Sequence, residues 1–269
     1  MFQPRENQKK VLAYTRGRMG VSAVPGSGKT RTLSRLAADL VSGGGLQADQ
    51  EVLIVTLVNA AVDHFARQVG EFVRAEGLLP GVGYRVRNMH GLANDIVRER
   101  PALVGLSEGF QIVDEREAGD ILRDAVHAWT RSHPDAALVY LSSTVDDSAA
   151  RTVLRDRWPD EVIAIAGAFI KQAKDLQLSP EDVRRHLSKR REPLPLAEMS
   201  LAIYIQYQRG LSYRGGVDFQ DLIRLALRAL ELDKDFLKRL KHRWPYILED
   251  EAQDSSLLQE QILRKLTGS

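Results

Sequence analysis

Hydrophobic and polar positions follow two patterns in the outer parts of the chain. Short apolar runs of the kind that form buried parallel strands alternate with stretches whose apolar residues recur every three or four positions, which is helical spacing. The alternation predicts an α/β fold with a parallel sheet and helices on both faces. Asn59 is expected to cap its helix. Strands are predicted at 19–23, 51–56, 84–87 and 244–249, and helices at 6–15, 29–42, 59–74, 90–100, 218–230 and 254–266.

The middle of the chain has a different pattern. From 101 to 215 the apolar residues keep helical spacing, as at Ile121, Leu122 and Val126, and prolines interrupt the segment at several points. We therefore expect a mostly α-helical insertion domain at 101–215 that interrupts an α/β domain made of 1–100 and 216–269. Three tyrosines of this segment are expected to pack in the core or between domains: Tyr204, Tyr207 and Tyr213.

Composition excludes several classes of protein. The 269 residues include no cysteine, which rules out disulfides, thiolate metal sites and thiol nucleophiles and favours a reducing, cytoplasmic setting. The longest uncharged apolar run, Val162–Ile170, is too short to cross a membrane. The six histidines are scattered without a zinc-binding pattern, so zinc hydrolase chemistry is not expected.

The net charge of +2 conceals a local asymmetry. Residues 1–38 carry eight basic residues and one acid, whereas 246–254 carries four acids and no base. Such runs are most often solvated faces, but here each contains a motif.

The basic end contains AVPGSGKTR, residues 23–31, between a predicted strand and a predicted helix. It resembles G-x-x-x-x-G-K-[ST] with Ala23 in place of the first glycine. Glycines let the backbone curl around an anion, and the helix N-terminus adds donors and partial positive charge. Lys29 is positioned to reach β- and γ-phosphates, and the Thr30 hydroxyl to bind Mg²⁺. The alternative is an ordinary glycine-rich turn. The candidate nucleotide-binding residues are Ala23, Val24, Pro25, Gly26, Ser27, Gly28, Lys29, Thr30 and Arg31.

The acidic end supplies the expected partner, a predicted strand that runs into adjacent carboxylates. Asp250 is predicted to hold the metal and Glu251 to activate the attacking water. An acidic surface turn is the alternative. Lys29 and Asp250 are 221 positions apart, so a domain-sized insertion is expected between the two halves of the site.

Four segments, which follow one another along the chain in the order found in the helicases, resemble the N-terminal part of superfamily 1 DNA helicases of the UvrD/Rep/PcrA type. Gln8 in PRENQKKVLAY resembles the glutamine that reads adenine, and AVPGSGKTR is similar to the phosphate loop of these helicases. The segment ILEDEAQDSSLLQ (247–259) resembles their DExxQD motif, and GVDFQDLIRLA (216–226) resembles the segment before it.

The resemblance implies a RecA-like P-loop domain that uses ATP and Mg²⁺. By this resemblance Gln8 contacts the base, Lys29 and Thr30 contact the phosphates and Mg²⁺, and Gln253 senses the γ-phosphate and couples it to DNA. It also implies a 3′→5′ DNA helicase that couples ATP hydrolysis to translocation on single-stranded or forked DNA.

Two further segments match the helicase motifs in part. Thr56, Asn59 and His90 are candidate DNA contacts by resemblance, but Leu57 and Ala60 replace an aromatic residue and a lysine of the usual motif. An aromatic residue provides a stacking platform worth about 1–3 kcal/mol per base, so weaker strand binding is expected. His90 is alternatively a packed residue at a helix start. The basic segment RRHLSKRR (184–191) is either a DNA contact or a solvated helix end.

The chain ends one helix after DEAQD, without the G-D-x-x-Q motif of the helicases. We therefore expect half of a motor, whose second RecA-like domain belongs to the rest of the protein or to a partner chain. Alone, it is expected to bind ATP·Mg, hydrolyse ATP slowly and unwind nothing. A nucleotide-dependent regulatory subunit and a non-enzymatic nucleic-acid scaffold remain the alternatives.

Overall fold

The computed structural model describes residues 3–140, residue 152 and residues 157–268. The chain divides into two compact units, which are described separately. The first unit comprises Met1–Val104 and Leu225–Ser269, and the helical unit comprises Gly105–Arg224.

The elements of the described residues follow the expected alternation. The strands are β1 (Val52–Thr56), β2 (Tyr84–Asn88), β3 (Gln111–Val113), β4 (Gly216–Asp218) and β5 (Tyr246–Glu249). The helices are α1 (Glu6–Leu12), α2 (Lys29–Ser42), α3 (Asn59–Ala75), α4 (Met89–Glu99), α5 (Glu115–Ser132), α6 (Trp158–Asp175), α7 (Pro180–Leu187), α8 (Pro195–Tyr213), α9 (Phe219–Leu232), α10 (Lys234–Arg243) and α11 (Leu257–Thr267).

The first unit is built on a parallel sheet in the order β2-β1-β5. Val52 and Ile54 of β1 belong to one core cluster with α2 and α3. Leu53 and Val55 point to the opposite face and are also buried. Both faces of β1 are therefore covered, as expected for a parallel sheet. Because Val55 lies opposite Glu249 and Thr56 opposite Asn88, the carboxyl ends of the strands meet at one edge.

Two local predictions in this unit are wrong. Residues 19–23 form no strand, because they join no ladder with the described strands, and Met19 and Val21 are exposed. Asn59 does not cap α3; Val58 holds the cap position, and Asn59 is the first helical residue. Its side chain instead accepts a hydrogen bond from the Asn88 amide.

The helical unit packs α5, α6, α7 and α8 around one apolar cluster. Its buried members include Ile121, Val126, Tyr204 and Tyr207, which confirms core packing for these two tyrosines. Tyr213 is 95% exposed, so the expectation of core packing is wrong for it. The pairing of β3 with β4 in a short parallel sheet was not predicted, because three-residue strands carry too little alternation to detect.

Among the described residues, no helix is both long and apolar enough to cross a lipid bilayer.

Candidate nucleotide-binding site

The loop before α2 contains two glycines with positive φ angles. Gly26 and Gly28 have φ angles of 76° and 88°, in the left-handed region that favours glycine. Gly28 also holds the N-cap position of α2. The Ser27 hydroxyl is buried and has no hydrogen-bond partner in the structure. A buried donor without an acceptor, at a loop that opens onto a helix N-terminus, fits an anion-binding cradle.

Gln8 connects α1 to this loop. Its side-chain oxygen accepts a hydrogen bond from the backbone of Arg5 at 2.8 Å, and its Nε2 donates to the Ser27 carbonyl at 3.3 Å. A Cβ atom at Gly28 would lie 3.2 Å from the same Nε2, so the close approach favours glycine there. A cavity of about 220 Å³ opens here, and its lining includes Gln8, Gly28 and Arg31. Gln8 is therefore fixed beside the phosphate loop, where the resemblance places the adenine.

The acidic residues follow directly from β5. The backbone N–H of Asp250 donates to the Val55 carbonyl at 3.0 Å. The hydrogen bonding between β5 and β1 therefore continues to Asp250, one residue beyond β5. Lys29 Nζ lies 3.3 Å from Glu251 Oε2. Gln253 Nε2 donates to the same oxygen at 2.6 Å. The fold thus brings residues from the two ends of the chain to one edge of the sheet.

Glu251 adopts an unusual backbone conformation. Its φ of 57° lies in the left-handed region, which costs a residue with a side chain about 1–3 kcal/mol. Gln177 is the other described non-glycine residue with positive φ. The left-handed conformation changes the direction of the chain directly after β5.

The two carboxylates differ in their electrostatic environment. Burial and then the neighbouring Glu251 charge raise the pKa of Asp250, against the opposing effects of Lys29 and the nearby Thr30 hydroxyl. Hydrogen bonding from Gln253 and the charge of Lys29 lower the pKa of Glu251. The two adjacent carboxylates therefore have pKa values shifted in opposite directions.

The donor set fits a phosphate-bound Mg²⁺ better than a protein-enclosed metal. Thr30 and Asp250 offer a hydroxyl and a carboxylate, the hard oxygen ligands that Mg²⁺ prefers. Within the described ranges, no three His, Asp or Glu side chains lie close enough to hold a metal by themselves. Mg²⁺ bound here would take its remaining ligands from phosphate oxygens and water.

The predicted DNA contacts lie at the carboxyl ends of β1 and β2. Thr56 is buried, and its hydroxyl donates to the Val58 carbonyl at 3.2 Å. Asn59 is exposed and hydrogen-bonded to Asn88, whose oxygen accepts from the Gly91 backbone at 2.6 Å. His90 is half-buried in the first turn of α4. The role of these residues in DNA binding stays a prediction, and the Asn59–Asn88 pair carried no sequence signal.

The helical unit also contains a buried polar network that the sequence analysis did not predict. Lys174 of α6 is fully buried, and its Nζ bonds the carboxylates of Asp218 and Asp221, the latter at 2.8 Å. The Tyr207 hydroxyl donates to Asp218 at 2.6 Å. Burial alone would raise the pKa of Asp218, but the Lys174 charge and these hydrogen bonds outweigh burial and lower it. The sequence feature that could have predicted this network is the presence of two aspartates, Asp218 and Asp221, within the largely apolar segment GVDFQDLIRLA.

Comparison with known proteins agrees with this parallel sheet and phosphate-loop arrangement. The family model for the UvrD/REP helicase N-terminal domain matches residues 5–269, so the chain belongs to this family.

Curated relatives match the chain almost from end to end. DNA helicase II of Rickettsia typhi is 26% identical over 270 residues, which cover 100% of this chain and 36% of the relative. The ATP-dependent DNA helicase Rep of Escherichia coli is 24% identical, over 97% of this chain and 34% of the relative. The ATP-dependent DNA helicase UvrD2 of Mycobacterium bovis is 28% identical, over 98% of this chain and 34% of the relative. The chain spans about a third of the length of these relatives.

Proposed function

We propose that this chain is the ATP-binding N-terminal part of a UvrD-like, ATP-dependent 3′→5′ DNA helicase. The observation that carries the proposal is the convergence of Lys29 with Glu251 at the carboxyl edge of the sheet, beside Thr30 and Asp250. An ordinary glycine-rich turn and an acidic surface turn would have no reason to meet across 222 positions. Relatives named ATP-dependent DNA helicases support the same assignment.

Each residue has a role that its position supports. Lys29 and the backbone donors of residues 26–30 bind and orient the phosphates, while Gln8 holds the adenine edge beside the loop. Thr30 and Asp250 hold Mg²⁺, which neutralises phosphate charge when bound. Glu251 accepts a proton from the attacking water, and Gln253, already bonded to Glu251, reports the state of the γ-phosphate.

The proposal includes the domain organisation and the partners. Residues 1–100 and 216–269 form the ATP-binding domain, and 101–215 form a helical insertion domain. Thr56, Asn59 and His90 face single-stranded or forked DNA, and a second RecA-like domain completes the motor in a cytoplasmic setting. Because an arginine from such a domain is worth about 10³–10⁵ in rate, this chain alone binds ATP·Mg, hydrolyses it slowly and does not unwind DNA.

Steady-state ATP hydrolysis with and without single-stranded DNA tests the proposal, with Glu251→Gln as the blank. Retained ATP·Mg binding with turnover close to the blank is the expected result. Absence of ATP·Mg binding by the unaltered chain would refute the assignment. Strong DNA-stimulated turnover by this chain would refute the need for a second domain.

A further inference from the structure

The helical unit contains a wide pocket that the proposed ATP site does not use. Its volume is about 800 Å³, and its walls come from the start of α7, the C-terminal half of α8 and Arg224 of α9. All lining residues belong to Gly105–Arg224, so the pocket lies within one compact unit.

The pocket is lined by more basic than acidic groups. Arg184, Arg209 and Arg224 contribute guanidinium groups, and Glu181 is the one carboxylate in the lining. Arg184 and Arg209 are exposed, and neither forms an ion pair with the residues that the structure describes. Two uncompensated guanidinium groups at one concavity suit a multidentate anion such as a phosphate.

Arg224 is held in place from beneath the pocket. Its Nη2 lies 3.2 Å from Asp221 Oδ1, and Asp221 is in turn bonded by the fully buried Lys174. The Arg224 Nε is buried and has no hydrogen-bond partner. This chain of contacts fixes the guanidinium at the pocket wall, while Asp221 offsets its charge.

An aromatic ring stands at the edge of the same pocket. Tyr213, the last residue of α8, lines the pocket and is 95% exposed, beside the exposed Ser212. A tyrosine so exposed packs against nothing in the described chain and offers a free face for stacking. Aromatic faces next to basic grooves bind nucleobases without sequence preference.

We propose that this pocket binds one nucleotide unit of a nucleic-acid strand. Arg184 and Arg209 take the phosphate, Arg224 forms a fixed wall of the pocket, and the base stacks on Tyr213. A free mononucleotide offers the same chemistry, so the test separates the two sources. None of the residues of the ATP site takes part, and the two proposals can fail independently.

The test measures binding of the full chain to a fluorescent oligothymidylate of about 20 nucleotides at low salt, without ATP or Mg²⁺. We expect the variant R184A/R209A to raise the Kd at least about tenfold and to reduce the slope of log Kd against log salt by about 0.7, the contribution of the one phosphate contact that the two arginines share. The control R116A/R131A removes two exposed arginines of α5 that lie outside the pocket, and its Kd should change less than about twofold. Equal losses in both variants would show non-specific charge attraction and overturn the proposal.

Two further comparisons identify the ligand. Tyr213→Ala should raise the Kd for oligothymidylate about fivefold or more and leave an abasic strand unaffected, because only the former has bases to stack. An equal effect on both strands would overturn the stacking role. If thymidine monophosphate displaced the oligothymidylate at concentrations similar to those at which the oligothymidylate itself binds, the ligand would be a free nucleotide. That result would overturn the proposal that the pocket binds a nucleic-acid strand. Lys29→Ala should weaken ATP binding at least about tenfold and leave oligothymidylate binding unchanged, so the two sites can be tested separately.

Discussion

Lys29 and Glu251 form an ion pair across the candidate site, with Nζ 3.3 Å from Oε2. Both side chains are partly exposed, so solvent screens the pair and its own contribution to stability is small. A triphosphate offers Lys29 several charged oxygens, and charge-assisted contacts to phosphate are stronger. Nucleotide binding is therefore expected to draw Lys29 away from Glu251, which frees that carboxylate to accept a proton.

Exchange of Lys29 between these partners gives the first prediction. Lys29→Ala should weaken ATP·Mg binding at least about tenfold, because the β- and γ-phosphates lose the cationic side chain predicted to contact them. Glu251→Gln should bind ATP·Mg at least as tightly as the parent, because no carboxylate then competes for Lys29. Isothermal titration calorimetry at neutral pH measures both Kd values.

The matched control is Lys9→Ala, which removes an exposed lysine of α1 whose ion pair among the described residues is with Glu6. Its ATP affinity should equal that of the parent. Weaker ATP binding by Glu251→Gln than by the parent would contradict competition for Lys29.

Gln8 gives a prediction about base selection. Its amide is fixed at both ends, by the Arg5 backbone and by the Ser27 carbonyl, and a fixed amide can discriminate the donor and acceptor pattern of a base. Gln8→Ala should weaken ATP binding by about 1–2 kcal/mol and leave GTP binding nearly unchanged, so the preference for ATP disappears. Competition between the two nucleotides for a fluorescent ATP analogue measures this preference. Parallel losses for ATP and GTP would show that Gln8 supports the loop and does not read the base.

How far the sequence predicts the fold depends on the length of each signal. The helix predicted at 29–42 has the bounds of α2, and the predicted strand 51–56 contains β1, because a long periodic or fully apolar run specifies its own structure. Residues 19–23 were also predicted as a strand, from a run interrupted by Gly20 and Ser22, and they form none. Strand formation needs a hydrogen-bonded neighbour, and that neighbour is not encoded within the segment.

The candidate site shows the same limit. Motif spacing predicted Lys29, Thr30, Asp250 and Glu251 as site residues, since the chemistry of phosphate binding restricts residue types and order. The positive φ of Glu251 depends on how the chain leaves β5, which no local pattern records. Lys174 was missed because a lysine in an amphipathic helix normally lies on the solvent side. Only tertiary contacts with Asp218 and Asp221 make its burial tolerable.

The buried network predicts a specific pH dependence. Asp218→Asn should destabilise the helical unit by about 3 kcal/mol at pH 7, because it leaves Lys174 with less compensating charge. The folded pKa of Asp218 is lowered, so its contribution is complete above the ordinary value of 3.8 and is lost as pH falls through the lower folded pKa. The stability difference between parent and variant should therefore narrow below pH 3.8. Urea denaturation across this range, followed by Trp129 and Trp158 fluorescence in a Trp244→Phe background, measures it.

Asp120→Asn provides the control for that experiment. Asp120 is an exposed aspartate of α5 paired with Arg123, and its loss should change stability by at most about 0.5 kcal/mol. A constant stability gap between Asp218→Asn and the parent from neutral to acidic pH would contradict the lowered pKa.

The packing of α5 against α8 depends on the absence of a side chain at Gly210. A Cβ atom there would lie 2.6 Å from Ile121 Cγ2, closer than side chains pack, and Ile121 is itself buried. Gly210→Ala should therefore destabilise the helical unit by about 1–3 kcal/mol, even though alanine favours helices by about 1 kcal/mol over glycine.

A double-mutant cycle assigns this cost to one contact. Ile121→Ala alone should cost about 2–5 kcal/mol through the cavity it leaves, but in its presence Gly210→Ala should become neutral or stabilising, because the clashing methyl group is gone. Gly119→Ala in α5 is the matched control, since its nearest contact would be an ordinary 3.8 Å to Arg123, and it should stabilise by about 0.5–1 kcal/mol. Thermal denaturation of the four variants and the parent measures the cycle. Additive effects of Gly210→Ala and Ile121→Ala would show that the two helices do not meet at this pair of residues.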